Sequence, residues 1–141
     1  MNLIQKALVA SLCIFSASSA HAIETGVSGV WTKGGGDLVV NVQPCNGDKI
    51  CVKIVNIKKA FHDDGTPRLD DHNPNPALRS RPVVGLQIIN NMGSTGPNTW
   101  KGKLYNSDDG KTYTAYAKLQ GNALEVKGCW GPFCKTLNFA R

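Results

Sequence analysis

The sequence predicts an all-β fold: an eight-stranded antiparallel up-and-down barrel with one long loop between the third and fourth strands. Three observations carry this expectation. From Ile23 onward no apolar pattern recurs at the helical period, whereas short alternating apolar and polar runs do, at even spacing. Glycine, proline and asparagine clusters separate those runs. Eight such runs joined mostly by hairpins are enough to close a small barrel, and closure removes the edges that an open sheet would expose.

The first run, residues 27–32, carries Gly29-Val30-Trp31 and is broken by Gly34-Gly35-Gly36. The second, 37–43, alternates around Leu38, Val40 and Val42. A turn at 44–48 leads to the third, 49–58, with Ile50, Val52, Ile54 and Asn56 on one face and Cys51, Lys53, Val55 and Ile57 on the other. Residues 59–82 show no strand pattern, with room for a single helical turn at Pro76-Ala77-Leu78. Connections that long in a compact domain usually serve function or move. The fourth run is 83–90, followed by a Gly/Pro/Asn loop at 91–99. The fifth, 100–105, meets Asn106-Ser107-Asp108-Asp109-Gly110, a strong hairpin turn in which Gly110 is free to take positive φ. The sixth, 111–119, alternates Tyr113, Ala115, Ala117 and Leu119 against Thr112, Thr114, Tyr116 and Lys118. Gln120-Gly121-Asn122 turns the chain into the seventh, 123–129, and 133–141 is the eighth.

Residues 1–22 read as an export signal and 23–141 as the barrel domain. Lys6 supplies the positive start, residues 7–15 the apolar stretch, and Ala20-His21-Ala22 the small-x-small cleavage pattern. The apolar stretch is too short to span a membrane, and no longer one follows. Leu12 is bulky where a lipoprotein signal needs a small residue before cysteine, so no lipid anchor is expected at Cys13. The expected location is periplasmic or secreted.

Lys6 is the one charged residue in that leader, so its removal lowers the formal charge from +6 to +5. The basic residues are dispersed and lack the interleaved aromatics of a nucleic-acid groove, which argues against nucleic acid as a partner. Such a charge is compatible with loose attraction to anionic lipid or polysaccharide. Four cysteines follow the leader, and an even number in an exported chain points to disulfides. Cys45 with Cys51, and Cys129 with Cys134, each flank turn residues, so each pair would clip a hairpin. Neither pair has the tight C-x-x-C spacing of a four-cysteine zinc site.

The densest chemistry lies at residues 70–85. Arg79 and Arg81 alternate before Pro82, so in an extended chain they would point the same way, with Asp70 or Asp71 at hand as a carboxylate partner. They read either as a loop staple or as an anion-binding rim at a cavity mouth. His62, Asp63, Asp64, Asp70, Asp71 and His72 crowd the same loop, but their spacing supplies only a fragment of a calcium pattern, and no metal or other cofactor is expected. No serine sits in a nucleophile elbow and no reduced cysteine is expected, so the chain reads as a binding protein and not an enzyme.

Two resemblances sharpen this. Gly29-x-Trp31 on the first strand and Arg141 closing the last resemble the lipocalin superfamily, in which the guanidinium lies over the indole and shuts the barrel floor. The run Asp70…Asn73-Pro74-Asn75-Pro76-Ala77-Leu78-Arg79-Ser80-Arg81-Pro82…Gly85 resembles the bacterial "domain of unknown function 2147" family. So do Tyr105-Asn106…Asp109-Gly110-Lys111-Thr112-Tyr113 and Gly128-Cys129…Phe133-Cys134. That resemblance implies small exported proteins with a lipocalin-like barrel and an internal cavity, and brings no established activity. Val52 stands where the family tends to have glycine, and Phe139 where tryptophan is usual.

The expected function is therefore to hold a small amphipathic or apolar, lipid-like molecule in the barrel cavity, an anionic one of fatty-acid type included. The candidate ligand contacts are Arg79, Arg81, Asn73, Asp70, Tyr105 and Tyr113, the arginines gripping an anionic head. On that expectation Arg79→Ala weakens binding while the fold survives. The alternative is a filled barrel that docks an envelope protein partner through residues 70–82.

Overall fold

The structure, a computed structural model, describes residues 26–141. The export signal read over residues 1–22 lies outside the described residues. Eight antiparallel strands close a barrel in chain order: β1 (Gly29–Lys33), β2 (Leu38–Cys45), β3 (Lys49–Ile57), β4 (Gln87–Gly96), β5 (Thr99–Asn106), β6 (Lys111–Gln120), β7 (Ala123–Trp130) and β8 (Phe133–Ala140). One 3-10 turn, Pro76–Leu78, interrupts the long loop; the Asn75 side chain caps it by accepting from the Ala77 amide at 3.1 Å.

Strict alternation governs most of the wall. Val40 and Val42 of β2, Leu124 and Val126 of β7, and Phe139 of β8 are buried on the inner face. The outer neighbours Glu125, Lys127 and Asn138 are exposed. In β3 the alternation slips once. Val40 pairs with Ile54 but Val39 with Asn56, so Val55 is an extra residue, a bulge. The inner phase therefore passes from Ile54 to Ile57, and Asn56, expected inside, is exposed. A one-residue slip reverses every side chain beyond it.

The fourth strand departs most from expectation. It begins at Gln87, not at residue 83, and runs through the expected loop at 91–99 as far as Gly96. Asn91, at φ 56, takes up a bulge between Ile89 and Gly93, and asparagine tolerates that left-handed conformation better than most residues. Turn-forming composition thus bends this strand without ending it. Opposite, Gly102 lets the strands close up, since a Cβ there would lie 3.0 Å from the Met92 Cα.

Alternating hairpins place the connections 34–37, 58–86, 107–110 and 131–132 at one end of the barrel, the mouth. The floor holds 46–48, 97–98 and 121–122, together with Val27 and Arg141. The β1–β8 seam is narrow, with only Thr32↔Ala140 and Lys33↔Phe139 in register. A clamp at the floor reinforces it. Trp31 is fully buried, donates its indole N–H to the Val27 carbonyl at 2.8 Å, and carries the Arg141 guanidinium 4.3 Å from its ring centroid. Arg141 also donates to the carbonyls of Gly26 and Ser28. Disulfides join Cys45 to Cys51 at the floor and Cys129 to Cys134 at the mouth.

The long loop rebuilds part of the wall. Because Gln87 already pairs with Lys53, the upper end of β3 has no β4 neighbour. Residues 83–86 fill that gap: Gly85 donates to the Ile54 carbonyl at 2.8 Å and Ile54 donates to that of Leu86 at 2.9 Å. Val83 and Leu86 are buried by this. The loop also seats on the β5–β6 turn. Gly110, at φ +69, has the His72 carbonyl oxygen 1.9 Å from where a Cβ would stand, so only glycine fits there.

Candidate functional site

The barrel is hollow. A cavity of about 790 Å³ runs inward from the mouth, within the size range of small-molecule sites. Its depth is apolar, lined by Val40, Val42, Ile54, Leu104, Val126 and Leu137 among others. Trp31 and Trp100 are absent from its wall and lie beneath it, on the floor side. The polar groups gather where the strands reach the mouth. Six cations line it there, Lys33, Lys58, Lys59, Arg68, Lys111 and Lys135, against two carboxylates, Asp37 and Asp108.

One of those cations is already spoken for. Lys33 is paired with Asp37 at 2.7 Å, and that hydrogen bond is the chief reason the Asp37 carboxyl sits below its ordinary value. Lys111 holds its ammonium 5.2 Å from the Trp130 ring centroid. Arg68 is fixed by its backbone on both sides: its amide donates to the Ala60 carbonyl at 2.9 Å, and its carbonyl accepts from Val83 at 2.9 Å. No carboxylate among the described residues pairs with its guanidinium. A forked, permanently charged group held at the lip of an apolar cavity suits a carboxylate or phosphate.

The arginines singled out from sequence lie elsewhere. Neither Arg79 nor Arg81 reaches the cavity wall, which corrects their assignment to the anion-binding rim. Arg79 caps the 3-10 turn with helical backbone angles, so the chain is not extended there and the two side chains part company. Arg79 donates from Nε to the Asn73 carbonyl at 2.7 Å, while Arg81 pairs with Asp70 at 2.8 Å. Asp70 and Asn73, proposed as ligand contacts, are buried and do not line the cavity either. They belong to a staple. The Asp70 carboxylate accepts from Arg81, from Asn73 Nδ2 at 2.8 Å and from the Tyr105 hydroxyl at 2.5 Å. This ties the loop to the end of β5 and so holds the rebuilt wall in place.

Tyr105 and Tyr113 do line the cavity. The Tyr113 hydroxyl donates to Asp109, and its ring meets Trp130 edge-on at 5.7 Å. Among the described residues, no three His, Cys, Asp or Glu side chains converge as a metal site requires. Asp64 instead accepts from the amide and hydroxyl of Thr66, closing a local turn.

The staple makes a pH prediction. Burial acts to raise the Asp70 carboxyl, but the hydrogen bonds from Tyr105, Arg81 and Asn73 outweigh it and hold it below its ordinary value of 3.8. A carboxyl lowered by folding contributes stability that is present above pH 3.8 and lost as pH falls through the folded value. Tyr105 titrates at about 12, pushed up by burial and then by Asp70, so its share is lost as pH rises from 10 towards 12. The melting temperature is expected to fall in both windows, as thermal denaturation across pH measures. Asp70→Asn should remove the acid step and cost about 1.5–3 kcal/mol at neutral pH. An unchanged acid step in that variant would contradict the staple.

Sequence reasoning missed Arg68, Lys58, Lys59, Lys111 and Lys135. Part of the signal was present. Extending the inner phase of β6 from Tyr113 reaches Lys111, and that of β8 from Phe139 and Leu137 reaches Lys135.

The model of the family described as "Uncharacterized protein conserved in bacteria (DUF2147)" matches residues 29–141. Among solved structures, this chain is similar to protein HP1028 from the human pathogen Helicobacter pylori, described as belonging to the lipocalin family. The TM-score is 0.67 and the identity 27%, over 81% of this chain and 81% of that one. No curated protein matches the sequence.

Proposed function

Because the chain belongs to the DUF2147 family and has a lipocalin-like barrel, a fold that fits small-molecule binding, we propose that it is an exported carrier of an anionic amphipathic molecule of fatty-acid type. The observation that carries this is the cavity itself: about 790 Å³ of mainly apolar interior whose mouth holds six cations and two carboxylates. The apolar tail lies among the inner valines, leucines and isoleucines, where removing it from water provides the driving force. The head stays at the mouth, where Arg68 and the neighbouring lysines Lys58 and Lys59 meet its charge. Two disulfides, and the absence of any described helix long and apolar enough to cross a membrane, are compatible with export.

Such an interior also favours a carrier over a barrel filled for docking, since a packed core leaves no space of this size. The residues 70–82 spend their buried polar groups on the staple, holding the wall instead of presenting them to a partner.

Displacement of a fluorescent fatty-acid probe tests the assignment. Arg68→Ala should weaken the acid by roughly tenfold, as for loss of one charge-assisted contact, and leave the corresponding fatty alcohol little changed. Arg79→Ala, whose side chain serves the loop backbone, should leave both affinities near wild type. Equal losses for acid and alcohol in Arg68→Ala would reject a charged head at this lip.

A further inference from the structure

The exposed phenyl and indole rings of the described chain all belong to segments at the mouth end. Phe133 is 77% exposed, Phe61 64% and Trp130 49%. Trp130 and Phe133 face each other as a cross-strand pair at the tip of the β7–β8 hairpin, separated only by Gly131 and Pro132. The Cys129–Cys134 disulfide sits directly behind them. A clip across so short a loop removes little chain entropy, so its larger effect is to stiffen the tip. Both rings border the cavity mouth, and two large rings left this exposed are costly for a fold that buries both other tryptophans, Trp31 and Trp100.

The same lip is cationic. Lys111 and Lys135 flank the tip, with Lys58, Lys59 and Arg68 across the mouth. Of the carboxylates on this rim Asp37 is paired with Lys33, while Asp108 and Asp109 keep their charge beside Lys111, so the cations remain in excess. Lysine around exposed tryptophan and phenylalanine is the composition that settles at the boundary of an anionic bilayer, rings among the acyl chains and ammonium groups among the phosphates. A protein partner would need shape complementarity, for which a two-ring tip offers little area. We propose that the barrel docks mouth-down on an anionic phospholipid surface through Trp130 and Phe133, with Lys111 and Lys135 meeting the phosphates. Resting on the carrier function above, this geometry lets a lipid-like ligand pass between bilayer and cavity without crossing water. Asp63 and Asp64, at the tip of the 60–68 ribbon, oppose contact on that side, which makes the β7–β8 tip the leading edge.

Sedimentation of the disulfide-bonded protein with vesicles tests it. One set is phosphatidylcholine with about a third phosphatidylglycerol, and the other phosphatidylcholine alone. Expected is binding to the anionic set that falls as salt rises, with a blue shift of tryptophan emission arising from Trp130, since Trp31 and Trp100 are already buried. Phe133→Ser should lower partitioning roughly tenfold, and Lys111→Glu with Lys135→Glu by at least as much. Equal partitioning to both sets, none to either, or an unchanged Phe133→Ser overturns the proposal, including the case where the tip proves to grip a protein. Probe binding in vesicle-free buffer separates the two ideas. A protein that binds the fatty-acid probe but no vesicle refutes docking alone, whereas one that binds anionic vesicles but no probe refutes the carrier and leaves docking standing.

Discussion

Two indoles placed on the inner wall, by Val126→Trp with Leu137→Trp, are expected to abolish fatty-acid binding and leave the barrel folded. Val126 and Leu137 are direct cross-strand partners on β7 and β8, and both line the cavity. Their replacements would project side by side into the space a ligand tail needs. The loss should reach a hundredfold or more, about 2.7 kcal/mol. The effect on stability separates a hollow barrel from a filled one. Overpacking a close-packed core costs about 1–3 kcal/mol, whereas new apolar side chains in an empty space gain burial without strain. The double variant should therefore melt at or above the wild-type temperature while the probe no longer binds. A marked fall in Tm would mean that the interior is already full.

Trp31→Ala should have the largest effect on the fold. Trp31 is fully buried, and its removal leaves a cavity, an unpaired Val27 carbonyl and an Arg141 without its ring. Truncations of this kind cost about 3–5 kcal/mol. The position makes the cost global. β1 and β8 meet through only two register pairs, so the Trp31–Arg141 clamp is what keeps the narrow seam shut at the floor. In a domain of this size a loss of roughly 3–5 kcal/mol lowers Tm by roughly 10–20 °C. Arg141→Ala should cost about 1 kcal/mol, because its guanidinium is exposed on the outer side and contributes mainly the stacking and two carbonyl contacts. A Trp31→Ala protein that melts like wild type would show that the seam closes without the clamp. Thermal denaturation of both variants measures this.

Alternation and turn chemistry made most of the wall legible, because a strand buried on one face has a period of two that few other structures imitate. Where β-bulges entered, that period misled. Val55 and Asn91 each add a residue that no local pattern announces, and they moved Asn56 outside and carried β4 past its expected end. The Trp31–Arg141 clamp was readable because Gly29-x-Trp31 and a closing Arg141 resemble the lipocalin pattern, in which the two residues pack together. The mouth was not. Arg79 and Arg81 stood out in sequence by their density of prolines and charge, yet that density served a staple. A 3-10 turn between Asn75 and Arg79 broke the extended geometry on which their common direction depended. Arg68 drew no notice because its place at the lip depends on long-range pairing, its backbone bonded to Ala60 and Val83. Lys111 and Lys135 were within reach of the strand phases, and following those phases to the last residue would have found them.

Native mass spectrometry of the protein drawn gently from its own host tests the carrier function most directly. The expected result is one small acidic, lipid-like molecule per barrel, released on unfolding and displaced by a fatty-acid probe, and absent from the Val126→Trp/Leu137→Trp variant. A barrel that always emerges empty and never takes up the probe would contradict it.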